Sequence, residues 1–182
     1  RMLALFATGT LLIVLTAYWW LQQSAEEIKN DWRYVIAQSV RVTAEAEIEI
    51  HPELSASGRS LSYSIKEDAF FIVKVVNLSG ASQFHISAPN AHLLSPMLSP
   101  KEDRLLAIEY GKEGCKVVLF HLPELSKQEL TDCALPNSSS ALEWTQAGDG
   151  FLFAKSNNNE ISSYIWYYDF STQQTKQLTN NS

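Results

Sequence analysis

The sequence predicts an all-β protein of about three four-stranded units, carried behind one transmembrane α-helix. Three observations predict it. A 19-residue stretch, Leu3 to Leu21, holds no charge, and only Thr8, Gly9, Thr10 and Thr16 interrupt its apolar character. Beyond it, short β-rich runs recur between turn residues, with no long helical period among them. Those runs also repeat, with spacings of 44 and then 46 residues.

At about 1.5 Å per residue the apolar stretch reaches roughly 30 Å, the hydrocarbon thickness of a bilayer. Tyr18, Trp19 and Trp20 cluster at its C-terminal end, where amphipathic rings favour the membrane–water interface. A cleaved signal peptide ends on small residues, whereas Trp19, Trp20, Leu21, Gln22 and Gln23 close this stretch. The anchor is therefore placed at residues 1–23, with residues 3–21 in the membrane. Basic residues alone do not orient it, because Arg1 precedes the span and Lys29 and Arg33 follow it. Residues 24–38 read as a helical stalk. Ser24 caps it, Glu26 and Glu27 suit its first turn, and Ile28, Trp32, Val35 and Ile36 share one face.

Charge narrows the function. The chain carries 14 basic and 20 acidic residues, a net charge of -6, and all the acidic ones lie after the apolar stretch. That balance argues against direct nucleic-acid binding, which needs a basic stripe to neutralise phosphates. A content of 46% hydrophobic and 19% charged residues excludes general disorder. The chain opens on Arg1, not methionine, so a segment is expected upstream.

Residues 39–182 form the β region. The runs are Ser60–Ile65, Phe70–Asn77, Arg104–Tyr110, Lys116–Leu122, Gly150–Lys155 and Ser163–Phe170. Three units open alike, around Ser55-Ala56-Ser57-Gly58-Arg59, Ser99-Pro100-Lys101-Glu102-Asp103 and Thr145-Gln146-Ala147-Gly148-Asp149. Ser55, Ser99 and Thr145 are equivalent, and the second unit reads as one residue longer. A four-stranded blade needs about 40–45 residues, so the period predicts an incomplete β-propeller. Ser39-Val40-Arg41-Val42-Thr43 reads as a closing strand with no blade before it. Three blades do not close a ring, so either the chain continues, copies associate, or an edge stays open. A chain truncated at both ends is the expectation.

The same residues resemble the propeller repeat of the TolB type, whose hallmark is Ser-Pro-Asp-Gly, a basic residue and Leu-Ala-Phe. Ser99-Pro100 matches its first half, Gly58-Arg59 its second, and Leu61-Ser62-Tyr63 and Phe151-Leu152-Phe153 the strand that follows. Ala56, Glu102 and Gln146 depart from the pattern. The repeat-motif turns to follow are thus Ser55, Gly58, Ser99, Pro100, Thr145 and Gly148.

Cys115 and Cys133 are the only cysteines, each nine residues from Glu124. A hairpin centred there sets them on neighbouring strands at opposed positions, close to disulfide reach. Such a bridge forms in an oxidising compartment. The alternative is two unpaired buried thiols, since a one-residue bulge would turn the pair apart.

No catalytic signature appears. His51, His85, His92 and His121 are scattered, and there is no Gly-x-Ser-x-Gly elbow, metal-ligand spacing or phosphate loop. No cofactor, metal or catalytic residue is assigned. One span before an acidic TolB-type propeller is similar to CadC-like membrane-anchored winged-helix regulators. That resemblance implies a single-pass bacterial inner-membrane protein with its propeller on the periplasmic side. It implies DNA contact only through an upstream domain, and a sensor whose protein or small-molecule partner is left open. Self-association of copies fits the same reading. The runner-up is the propeller of a membrane-anchored prolyl-oligopeptidase-type serine peptidase, and a third reading is an envelope TolB-like scaffold.

Overall fold

The computed structural model describes residues 42, 43, 45–79, 82–133, 142–156 and 163–180, together with Thr16, Tyr18 and Trp19. The apolar span at 3–21, apart from those three helical residues, the stalk at 24–38 and residues 39–41 lie outside them. Among the described residues no helix is long and apolar enough to cross a membrane. Val42 and Thr43, placed in a closing strand by the sequence, belong to no strand.

The compact unit from Glu45 onward is all β. Its first sheet holds β1 (Glu49–Leu54), β2 (Ser60–Glu67), β3 (Phe70–Asn77) and β4 (Ser82–Ile86). The second holds β5 (Ala91–Leu98), β6 (Arg104–Gly111), β7 (Gly114–His121) and β8 (Ser126–Asp132). The third holds β9 (Leu142–Trp144), β10 (Gly150–Ser156), β11 (Ser163–Asp169) and β12 (Gln174–Gln177). Each is an antiparallel meander in chain order, and β1 and β9 both contact β5.

The middle strands of the second sheet carry the largest apolar load because sheets stack on both their faces. Leu105, Leu106, Ala107 and Ile108 of β6 are all essentially inaccessible. Leu105 and Ala107 join Val73, Val75, Leu93 and Val118 in a core between the first two sheets. Leu106 and Ile108 join Val117, Leu119, Trp144, Phe151 and Phe153 between the second and third. Full burial of a Val, Leu or Phe side chain contributes about 1.5–3 kcal/mol, so these two interfaces hold the unit together. Strand β2 adds serines to the contact between the first two sheets: Ser60, Ser62 and Ser64 are buried, and Ser62 donates to the Pro96 carbonyl at 3.1 Å.

The first strand of each of the first two sheets is kinked at one place. His51-Pro52 and Ser95-Pro96 sit where the registers of β1–β2 and β5–β6 shift. Proline lacks the N–H the ladder requires, which favours a bulge at these points. His51 and Ser95 take up the bend with φ of 51° and 50°. The two kinks touch, the Ser95 N–H donating to His51 Nδ1 at 3.3 Å. Burial lowers the His51 pKa, which favours the neutral ring able to accept that bond.

Cys115 and Cys133 are joined by a disulfide, with Cα atoms 5.2 Å apart. The bulge that the sequence reading set against such a pairing is present and has the opposite effect. Near the turn the register of β7 and β8 follows His121↔Ser126 and Leu119↔Gln128. Leu130 is then skipped, and the register beyond it follows Lys116↔Asp132. That one-residue slip is what brings Cys133 opposite Cys115, and the Cys133 N–H bonds the Cys115 carbonyl at 3.0 Å.

Candidate functional site

The repeat-motif residues form three turns of one design, each joining the first strand of a sheet to its second. The leading Ser or Thr bonds through its backbone N–H to the carbonyl five residues on: Ser55 to Ser60 at 2.8 Å, Ser99 to Arg104 at 2.8 Å, Thr145 to Gly150 at 3.0 Å. Its hydroxyl accepts the N–H of that same residue in every case, at 3.0, 3.1 and 3.2 Å. The fourth position has positive φ throughout: Gly58 at 70°, Glu102 at 59° and Gly148 at 71°. The three turns are therefore of equal length, and the extra residue read into the second unit is not there. Ser55, Ser99, Thr145, Gly58 and Gly148 shape the turns. Cys115 and Cys133 lie at the other end of the second sheet, where Tyr110 pairs with Cys115.

Glu102 breaks the glycine rule, and its contacts explain why. Its carboxylate accepts from the hydroxyls of Ser57, on the first turn, and Ser60 at 2.8 Å. The Ser57 hydroxyl bond is the main cause that holds its pKa below the ordinary glutamate value. Two residues later Arg104 reaches the opposite way. Its guanidinium donates to the Gly148 carbonyl at 2.7 Å and lies 4.9 Å from the Trp144 ring centre and 5.0 Å from that of Phe170. The middle turn thus grips both neighbours through two residues of its second half.

Beside these turns the first strands enclose an open cavity of about 330 Å³. Its lining follows the repeat. The residue two before each leading Ser or Thr contributes Glu53, Met97 and Glu143, and the next contributes Leu54, Leu98 and Trp144. The residue after it contributes Ala56, Pro100 and Gln146. Of the motif positions, Pro100 and Thr145 reach this wall. The cavity lies where equivalent positions of three sheets converge, with an apolar floor and a carboxylate on the strand at either side. Burial, and then the charge of Glu143, raise the Glu53 pKa. Glu53, beside a second carboxylate and above an apolar floor, makes with Glu143 a seat for a positive group on an apolar body. Trp144 is oriented for this by donating Nε1–H to the Met97 carbonyl at 3.0 Å. Glu53 and Glu143 escape a motif search because they precede the motif, but aligning the units on Ser55, Ser99 and Thr145 puts them in one column.

No known protein-family pattern matches the chain, and no curated protein matches it. Solved structures do. TolB from Acinetobacter baumannii is 18% identical with a TM-score of 0.61, over 76% of this chain and 34% of that one. The β-propeller domain of the Trilobed protease from Pyrococcus furiosus is 17% identical with a TM-score of 0.56, over 74% and 43%. An acylaminoacyl peptidase from Pyrococcus horikoshii is 13% identical with a TM-score of 0.55, over 74% and 25%. The chain spans less than half the length of each. The likeness shows the fold alone: three blades of the kind found in TolB and related β-propellers.

Proposed function

We propose that this segment is the extracytoplasmic sensor or protein-interaction domain of a single-pass, membrane-anchored transcriptional regulator. In this reading it is non-catalytic, and the cavity between the first strands is its binding surface. The observation that supports a binding role is the convergence of Glu53 and Glu143 over an apolar floor built from matching positions of three repeats. Its ligand carries a cationic group on an apolar frame, as a basic peptide does. The peptidase reading keeps support from the Pyrococcus propellers and requires an α/β-hydrolase domain in the same polypeptide. The scaffold reading requires neither a hydrolase nor an upstream winged helix.

Calorimetric titration of the full chain with an alternating leucine–lysine peptide tests the binding surface. Glu53→Gln with Glu143→Gln is expected to weaken binding roughly tenfold, from two lost charge contacts of about 0.5–1 kcal/mol each. Glu113→Gln, at the far end of the second sheet, is expected to change nothing. Binding needs ionised carboxylates, and the Glu53 pKa is raised. Affinity should therefore fall on acidification, starting at a higher pH than an ordinary glutamate would set. Equal binding by the double variant and the parent chain contradicts the assignment.

A further inference from the structure

A backbone N–H that its ladder leaves unpaired needs another acceptor. Two such groups stand at the contact between the first and second sheets. Ser95 lies in the bulge where the register of β5 and β6 shifts, so no β6 residue pairs with it. Phe71 lies beyond the reach of β4, which ends at Ile86, opposite Val73. A histidine serves each of them. His51 of β1 accepts from the Ser95 N–H on its Nδ1 at 3.3 Å, and His92 of β5 accepts from the Phe71 N–H on its Nδ1 at 3.2 Å. The two bonds cross the same contact in opposite senses. Phe70, Phe71 and Tyr110 seat the His92 ring, with ring centres 5.3, 5.8 and 6.3 Å from its own.

A backbone N–H only donates, so each Nδ1 is bare and each ring is neutral. A proton on Nδ1 sets donor against donor and breaks the bond. Among the described residues no carboxylate bonds either of these rings. β2 opposes the His51 kink with Ser62, Tyr63 and Ser64, and Glu49 and Glu53 flank the kink on β1 itself. Burial is what lowers the His51 pKa. The hairpin packed on His92 carries Lys66, which opposes Phe71, then Glu67 and Asp68, and β6 carries Glu109 beside Tyr110. Glu67 pairs with His85 at 3.2 Å and Glu109 with Lys127 at 2.8 Å.

We propose that His51 and His92 form an acid-sensitive joint between the first and second sheets. Each neutral ring holds a backbone N–H of the other sheet, and each protonated ring lets it go. Val73, Val75 and Leu93 pack the same contact without titrating, so the joint loosens and the sheets stay stacked. Stability drawn from a ring kept neutral is present in full above the ordinary histidine value of about 6.5. It is lost as the pH falls from there through the lowered folded value. The joint is independent of what the cavity binds.

Amide hydrogen exchange of the full chain in mild detergent tests this, at about pH 7.5 and about pH 5.5, scaled to the intrinsic rate at each. Protection of the Ser95 and Phe71 amides is expected to fall roughly tenfold at the lower pH, as a released ring of pKa about 6.5 takes up its proton. His51→Asn keeps an acceptor at the same reach, suits the φ of 51° at this exposed position, and does not titrate. It is expected to abolish the fall at Ser95 and to keep the fall at Phe71. His92→Asn is expected to do the reverse, with a lower Tm at both pH values because the ring contacts go. Protection independent of pH at both amides overturns the proposal. So does a fall at either amide that survives the asparagine variant of its own histidine.

Discussion

Replacing Phe151 with alanine is expected to destabilise the β unit by about 3–5 kcal/mol, the usual cost of emptying a buried aromatic site. Phe151 is fully buried between the second and third sheets. Its ring centre lies 5.0 Å from Tyr168, 5.6 Å from Phe153 and 5.8 Å from Phe170. Collapse into the gap is resisted, because Arg104 holds Phe170 and Trp144 from the other side. Urea denaturation measures the loss, with an accompanying fall in Tm of roughly 10 °C. Leu152→Ala on the same strand removes a side chain from the outward face, so its cost should be much smaller. Equal costs at the two positions would mean that the sheets do not stack as described.

Removing both cysteines, Cys115→Ala with Cys133→Ala, is expected to cost roughly 3 kcal/mol on the chain-entropy model. The bridge joins positions 18 apart and ties the end of the outer strand β8 to β7. Without it, the polar and mostly exposed β8 is left to its ladder bonds beyond a bulge. Thermal denaturation with and without a dithiol reductant checks this. The reductant is expected to lower the Tm of the parent chain to that of the variant and to leave the variant unmoved. A parent chain indifferent to the reductant would contradict it.

How much of this is legible in the sequence depends on which strand is considered. The six apolar runs correspond to β2, β3, β6, β7, β10 and β11, the middle two strands of each sheet. Those of the second sheet are buried from both sides and those of the outer two on the face that meets it, so their composition announces them. The first strands β1 and β5 are hidden by Pro52 and Pro96, which break the pattern where the backbone bulges, and β9 by its length of three residues. The last strands are polar, β8 and β12 lying mostly exposed, and show in the sequence only through the like segments that close each unit, Gln83–Ser87, Gln128–Thr131 and Lys176–Thr179. Glu102 looks like decay of a glycine motif, yet its departure from that motif is what links two turns. Hairpin counting about Glu124 reached the cysteine pair only because two displacements cancel. The turn is centred half a residue earlier, and Leu130 restores the offset. Neither displacement leaves a mark in composition or spacing.

The central claim is that this propeller segment senses something outside the cytoplasm from a membrane anchor. A topology reporter fused after residue 60, in the first sheet, tests it most directly. The expected result is activity of a reporter that matures only outside the cytoplasm, with silence of one that works only inside. The reverse pattern, placing residue 60 in the cytoplasm, would contradict the sensor reading and the oxidising surroundings assumed for the disulfide.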